Sequence, residues 1–199
     1  MRTTDHRYVR DRQRIELALR FIRLEARTGT IRLWTGLTAD RIRKLYRSHF
    51  HDVPGSFVPR HRGKPPRMAS FFTRTARVHR ESNSFAALCT LLEALPPQVS
   101  PDLRAALPLL ERGHRLCNAY ETFTRFALTR PAITFEHAVH FISSIVRGDE
   151  LRLATCVDCS ALFVADRLSL RIDRCNPCPA AAPPHHHAML KNARTLVSA

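Results

Sequence analysis

Cys156-Val157-Asp158-Cys159 and Cys175-Asn176-Pro177-Cys178 are separated by fifteen residues, 160 to 174. Two Cys-x-x-Cys pairs at that separation match the spacing of a four-thiolate zinc site, because each pair can occupy one tight turn with both sulfurs pointing inward. The rival readings of such cysteines are a redox pair, which needs only one Cys-x-x-Cys, and an iron–sulfur cluster. Between the pairs the sequence predicts a hairpin: Leu162-Phe163-Val164 as one strand, and Leu168, Leu170 and Ile172 alternating with Ser169, Arg171 and Asp173 as the other. A ribbon of that size buries too little surface to hold itself, so a metal would supply the missing stability. The expected cofactor is one Zn2+ per chain on Cys156, Cys159, Cys175 and Cys178. Four protein ligands leave no open coordination position, so the role is structural. Arg152, Arg167, Arg171 and Arg174 would offset the negative charge of four thiolates and can also face phosphates. Cys89 and Cys117 lie on apolar helical faces and read as core residues.

Upstream of the cysteines the pattern is helical. Ile15, Ala18, Leu19, Ile22 and Ala26 recur at helical spacing and predict a helix over 12–27, with Gly29 placed to end it. A short apolar turn at Ile31, Leu33 and Trp34 follows, then Gly36. Thr38 is positioned to cap a second helix running to about His49, with Asp40 in its first turn. That helix buries Ile42, Leu45 and Tyr46 and exposes Arg41, Arg43, Lys44 and Arg47. Helix, tight turn and basic helix is the pattern of a helix-turn-helix element; an ordinary helical hairpin with a solvated basic face is the bland alternative.

Residues 52–68 read as a proline-rich basic loop, with Pro54, Pro59, Pro65 and Pro66 among Arg60, Arg62, Lys64 and Arg67. Arg74, Arg77 and Arg80 carry the charge onto the next helix, whose face is Phe85, Leu88, Cys89 and Leu92. Ser100-Pro101-Asp102 signals another start, followed by Leu103, Ala106, Leu107 and Leu110. Leu116, Tyr120, Phe123 and Ala127 form a further stripe that Pro131 should stop. Thr134 then caps a helix burying Ala138, Phe141, Ile142 and Ile145, ended by Gly148. The fold class expected is mainly α: a helical domain with a helix-turn-helix-like N-terminal part and a small C-terminal four-cysteine module of the zinc-ribbon kind. The organisation expected is 1–149 as a helical partner- and DNA-binding region, 150–180 as the four-cysteine zinc module, and 181–199 as a flexible tail rich in Ala, Pro and His.

The charge balance points to the partner. There are 32 Lys+Arg against 17 Asp+Glu, a formal net charge of +15. Such a surface attracts polyanions, with duplex DNA the first candidate. The first residues lack the apolar core of a signal peptide, and the uncharged run 82–92 is too short to span a bilayer, so the expectation is a cytoplasmic chain with reduced cysteines and no membrane partner. Glu111 and His114, His137 and His140, and His185-His186-His187 lack the further ligands a metal site needs and read as surface histidines. No Walker loop, nucleophile elbow or dinucleotide-binding glycine motif occurs, so no enzyme is expected.

Taken together these stretches resemble the flagellar master regulator subunit FlhC. The residues that carry the resemblance are Leu24-Glu25-Ala26-Arg27, Leu37-Thr38-Ala39-Asp40-Arg41-Ile42, Lys44-Leu45-Tyr46, Lys64-Pro65-Pro66 before Phe71-Phe72, Ala127-Leu128-Thr129-Arg130, and the run from Gly148 and Leu151 into Cys156-x-x-Cys159. The similarity covers roughly residues 12–180. It implies a subunit that joins an FlhD-type partner in a heterohexamer, binds promoter DNA of flagellar and motility genes, and recruits RNA polymerase as a transcription activator. Three other readings compete: a zinc-containing adaptor that contacts only other proteins such as RNA polymerase, an RNA-binding module, and a metalloenzyme. The charge argues against the adaptor. The phenylalanines fall on apolar helix stripes rather than on strand platforms, which argues against RNA. The four-cysteine site argues against the metalloenzyme.

Overall fold

A computed structural model describes residues 6–52, 55, 57–95, 108–169, 174–175 and 178. The predicted helix start at Ser100-Pro101-Asp102, the tail 181–199 with its three histidines, Pro54, and Arg171 with the rest of 170–173 lie outside the described residues. What is described is mainly helical, with one small two-stranded sheet.

Helix α1 runs from His6 to Arg23, four residues short of its expected end. Glu25, not Gly29, terminates it. Glu25 takes a left-handed conformation (φ 63°), and the N–H groups of Glu25 and Ala26 donate to the carbonyls of Ile22 and Phe21, both at 2.9 Å. That pair of bonds is a Schellman closure with glutamate in the position glycine usually holds. Gly29 instead enters helix α2, Thr28–Thr35. The expected apolar turn is thus a helix: Ile31, Trp34 and Thr35 share its buried side, and Gly36 closes it in the left-handed region at φ 69°. Thr38 caps helix α3, Ala39–Tyr46, as its hydroxyl accepts from Arg41 N–H. Beyond Tyr46 the chain widens into a π turn over Arg47–His51, where Asp52 N–H reaches back five residues to the Arg47 carbonyl at 3.1 Å. Phe50 is buried in that turn.

The loop after the π turn folds back on these helices. The Tyr46 hydroxyl donates to the Val58 carbonyl at 2.5 Å, and the Arg60 guanidinium lies 5.1 Å from the Tyr46 ring centre. A short 3-10 turn, Ala69–Phe72, leads to helix α4, Ala76–Leu91, capped by Thr75. Helix α5 spans Leu109–Phe126 and ends five residues before Pro131. Side chains of α4 hold the connection extended: Arg77 donates to the Arg130 carbonyl at 3.0 Å and Glu81 accepts from Ala132 N–H at 2.8 Å. Helix α6, Phe135–Arg147, begins with a capping box between Thr134 and His137 and ends at left-handed Gly148. Strands β1, Leu151–Thr155, and β2, Leu162–Asp166, pair antiparallel with Leu153 opposite Val164.

Helix α5 is central, packing on α1, α2, α4 and α6. Its Gly113 permits the closest approach: a Cβ there would stand 2.6 Å from Leu17 Cδ2. Phe21 joins the N-terminal helices to the rest, edge-on to Phe135 at 4.9 Å and beside Trp34 at 5.8 Å. Phe85 meets Phe123 and Phe141 in the same core. Among the described residues one carboxylate sits inside. Glu136, 4% exposed, reaches from the first turn of α6 to the start of α2, accepting Arg27 N–H at 2.6 Å and the Thr30 hydroxyl at 2.9 Å. It satisfies donors that a helix start leaves unpaired.

Removing that carboxylate strands two donors at the α2 start. Glu136→Ala is expected to lower stability by about 2–3 kcal/mol, read as a lower urea midpoint at unchanged slope; a midpoint equal to wild type would show that water replaces the carboxylate.

Candidate metal centre

The cysteines lie at the open end of the β hairpin. Thr155 pairs with Leu162, and the six residues between them form a knuckle closed by Cys156 N–H to the Ala161 carbonyl and Ser160 N–H to the Cys156 carbonyl, both 2.9 Å. Ser160 turns the chain with φ 58°. Cys156 and Cys159 project from this knuckle. Cys175 and Cys178 arrive from the following segment, and all four Sγ atoms lie within 4.8 Å of one another. The sulfurs are 3.4 Å apart for Cys175–Cys178, 3.5 Å for Cys159–Cys175 and 3.8 Å for Cys156–Cys178. Sulfurs on a tetrahedron about 2.3 Å from a central zinc are about 3.8 Å apart, whereas bonded sulfurs sit at about 2.05 Å. The four cysteines are free and can hold a metal ion.

The local electrostatics agree with that use. The main-chain N–H of Cys175 points at Cys156 Sγ at 3.4 Å and is the chief reason that the Cys156 thiol is pulled down to about 6. Cys178 is pushed the other way, first by the adjoining Cys175 thiol. Four thiols this close cannot all ionise unaided; a central divalent cation makes the thiolates compatible. Arg174 and Asp158 form a charge pair at 3.0 Å, off the line of a hydrogen bond, that joins the two cysteine turns.

The partner of the 162–166 strand differs from the expected one. It is β1, before the first cysteine; Leu168 and Ser169 lie in the turn that follows β2. The hairpin is held from behind by α4. Asn83 Oδ1 accepts Val164 N–H at 2.8 Å, and His79 Nε2 donates to the Val164 carbonyl at 2.6 Å. Leu151 and Val164 enter the main core, while Ala154, Phe163 and Ala165 form a separate cluster with Cys156 and Cys175. Sequence reading missed His79 and Asn83; four apart on one helix face, polar among apolar neighbours, they carried the signal.

The basic candidates separate into used and unused groups. Arg41 is tied to Asp11 on α1 at 2.8 Å and Arg43 to Asp40 at 2.6 Å. Arg167 donates to the Gly148 carbonyl. Lys44 and Arg47 on α3 and the turn after it, and Arg62, Lys64 and Arg67 on the loop, are exposed, and among the described residues no ion pair engages them. Arg171 lies outside the described residues. Cys89 and Cys117 are fully buried, and burial pushes Cys117 up to about 12.

His137 and His140 sit at the surface but are half-buried rather than open to solvent. His137 stacks on Phe71 at 4.1 Å and 15°, and burial, then neighbouring His140 and arginines, lowers it to about 4. His140 packs on Phe72 and is lowered by burial. Glu111 is engaged by Arg115 at 2.5 Å, and His114 is half-buried. Among the described residues the four cysteines are the one group placed to hold a metal, and no helix is long and apolar enough to cross a membrane. No protein-family model matches the chain, and no curated protein matches it in sequence.

Because β1 and β2 share the main core, metal loss should act locally. Cys175→Ser is expected to abolish a stoichiometry of one metal per chain in elemental analysis and to expose amides of 154–163 to hydrogen exchange while the helices stay protected. Full metal content in that variant would remove Cys175 from the ligand set.

Proposed function

We propose that the chain is a DNA-binding transcription activator subunit of the FlhC type, non-enzymatic, with one structural zinc ion on its four cysteines. The observation that carries the reading is the N-terminal geometry. Two eight-residue helices are joined by the three-residue turn Gly36-Leu37-Thr38, with the glycine left-handed. The second helix buries Ile42 and Tyr46 and turns its cations outward. A three- or four-residue turn containing glycine between two such helices is one mark of a helix-turn-helix element, whose second helix enters the major groove, and it supports this reading over an ordinary helical hairpin. Helix α1 packs on both. Lys44 and Arg47 are then the side chains free to reach DNA, while Arg41 and Arg43 are braced by Asp11 and Asp40. The surplus charge of +15 supports duplex DNA as partner, and the closed four-cysteine site supports a scaffold role for the hairpin.

The partner subunit would be FlhD-type, in a heterohexamer that recruits RNA polymerase at promoters of flagellar and motility genes; this part rests on the resemblance. It gains support from a cavity of about 890 Å³ between α1, α2 and α5, with Val9, Leu33, Trp34 and Leu109 on its walls. Val9, Leu33 and Leu109, all exposed, stand together on that wall, and a contiguous apolar patch is what a protein partner would cover. The same cavity favours the second reading, a zinc-containing adaptor that contacts only proteins.

Salt-titrated binding to duplex DNA separates the two. Each phosphate contact contributes a slope of about 0.9 in log affinity against log salt. Lys44→Ala and Arg47→Ala should each weaken duplex binding, and the one that reads bases should also shift sequence preference by about 1–3 kcal/mol. Arg167→Ala should leave affinity and slope unchanged. Absence of duplex binding at low salt, with polymerase binding retained, would favour the adaptor.

A further inference from the structure

A second cavity gathers arginines that the DNA-binding reading does not use. It has a volume of about 510 Å³ and lies where the end of α1, the start of α2 and the start of α6 meet. Arg23, Arg27 and Arg130 line it, and Leu24, Tyr120 and Phe135 give it an apolar and aromatic wall. The volume falls within the range of small-molecule sites, and the mix of apolar wall and few converging polar groups is their usual composition.

Two carboxylates share the cavity, and both have other partners. Glu25 Oε2 lies 2.7 Å from His61 Nε2. Glu136 takes Arg27 N–H and the Thr30 hydroxyl and is 3.8 Å from the Arg27 guanidinium. The Nε of Arg27 is buried with no hydrogen-bond partner. Among the described residues neither Arg23 nor Arg130 has an ion pair. The residues lining the cavity thus include three arginines against two carboxylates that are already engaged, and the Nε of Arg27 is a buried donor without a partner. A guanidinium presents parallel N–H groups that match the oxygens of a phosphate better than a single-point acceptor.

We propose that this recess binds a small phosphorylated molecule with a planar or apolar body, of about the size of a mononucleotide. The phosphate would meet Arg23, Arg27 and Arg130, and the body would lie against Tyr120 and Phe135. The phosphodiester backbone of a duplex fits less well: its bases are paired and stacked and cannot follow the phosphate into a recess. A ligand there touches both the start of α2 and the start of α6, so it bridges the N-terminal helices and the core.

Isothermal titration of the full chain with adenosine 5′-monophosphate, adenosine and inorganic phosphate tests the assignment directly, whether or not α3 binds DNA. The expected result is saturable one-site binding of the monophosphate, at least about tenfold tighter than either adenosine or inorganic phosphate. Arg23→Ala and Arg130→Ala, both at exposed positions, should each weaken it by about tenfold or more while the unfolding midpoint without ligand is unchanged. No saturable binding by the wild-type chain overturns the proposal. So does unchanged affinity in both variants, or inorganic phosphate binding as tightly as the nucleotide. If the variants lose affinity only for a DNA duplex and the wild type ignores the monophosphate, the arginines serve the DNA backbone and the proposal is wrong.

Discussion

The hydrogen bonds between Val164 and helix α4 hold the hairpin that carries the first two cysteines in place. A two-stranded ribbon has two outer edges and is marginal alone. Here the N–H and carbonyl of Val164 point away from β1 and are met by Asn83 and His79, so the helix supplies side-chain partners where a third strand would supply main-chain ones. Alternation along β2 then sends Val164 into the helical core and Phe163 and Ala165 toward the cysteines. The sheet is a partition one residue thick between the helical core and the metal centre. The knuckle inherits its position from α4, which is why four sulfurs from two distant stretches meet at spacings a metal can bridge.

The distribution of charge follows from how few acids the chain has. Asp11, Asp40, Glu81, Glu111, Glu121 and Asp158 are each engaged by an arginine. Exposed pairs of this kind contribute little to stability, yet they fix which cations are neutralised within the fold and which remain. The remainder includes Lys44 and Arg47 on the outer side of α3 and the turn after it, Arg62, Lys64 and Arg67 on the loop, and Arg23 and Arg130 at the recess beside α2. Burial of Glu136 belongs to the same pattern: it meets the α2 start and Arg27 from within, while among the described residues Arg23 and Arg130 have no acid.

Several parts of this arrangement were legible in the sequence because they depend on local chemistry. Thr38, Thr134 and Gly148 act where capping rules put them, and the stripe of Phe141, Ile142 and Ile145 is buried. The cysteine spacing located the cluster of four sulfurs that can hold a metal ion. Other parts were hidden because tertiary contacts decided them. Glu25 adopts a conformation that its residue type disfavours, held by the Schellman bonds and its pairing with His61, so the more obvious Gly29 misled. Helix α2 is too short for periodicity to show and depends on Glu136, 106 residues from Thr30. β1 has only five residues, Leu-Arg-Leu-Ala-Thr, with both of its sides partly covered, so no clean alternation marks it. Nothing in the composition of residues 23–27 or 130 announces that their arginines converge; that is a product of how α1, α2 and α6 meet.

The π turn after α3 sets a limit on chain length. An i to i+5 turn contains one residue more than the α-helix it continues, and each residue of an α-helix advances the side chain by about 100°. Deleting one residue between 47 and 49 would let the helix run on in ordinary register and swing Phe50 out of the core, where it now stacks on Tyr46 at 6.4 Å. The loop at 57–68 is tied down at Val58, Arg60 and His61, but the exposed stretch 62–64 after them faces no such restriction, since adding residues to an open loop costs little. Among chains descended from a common ancestor with this one, insertions and deletions should therefore collect after His61 and spare the five residues before Asp52, making that short stretch a ruler for aligning sequences too divergent to match by residue identity.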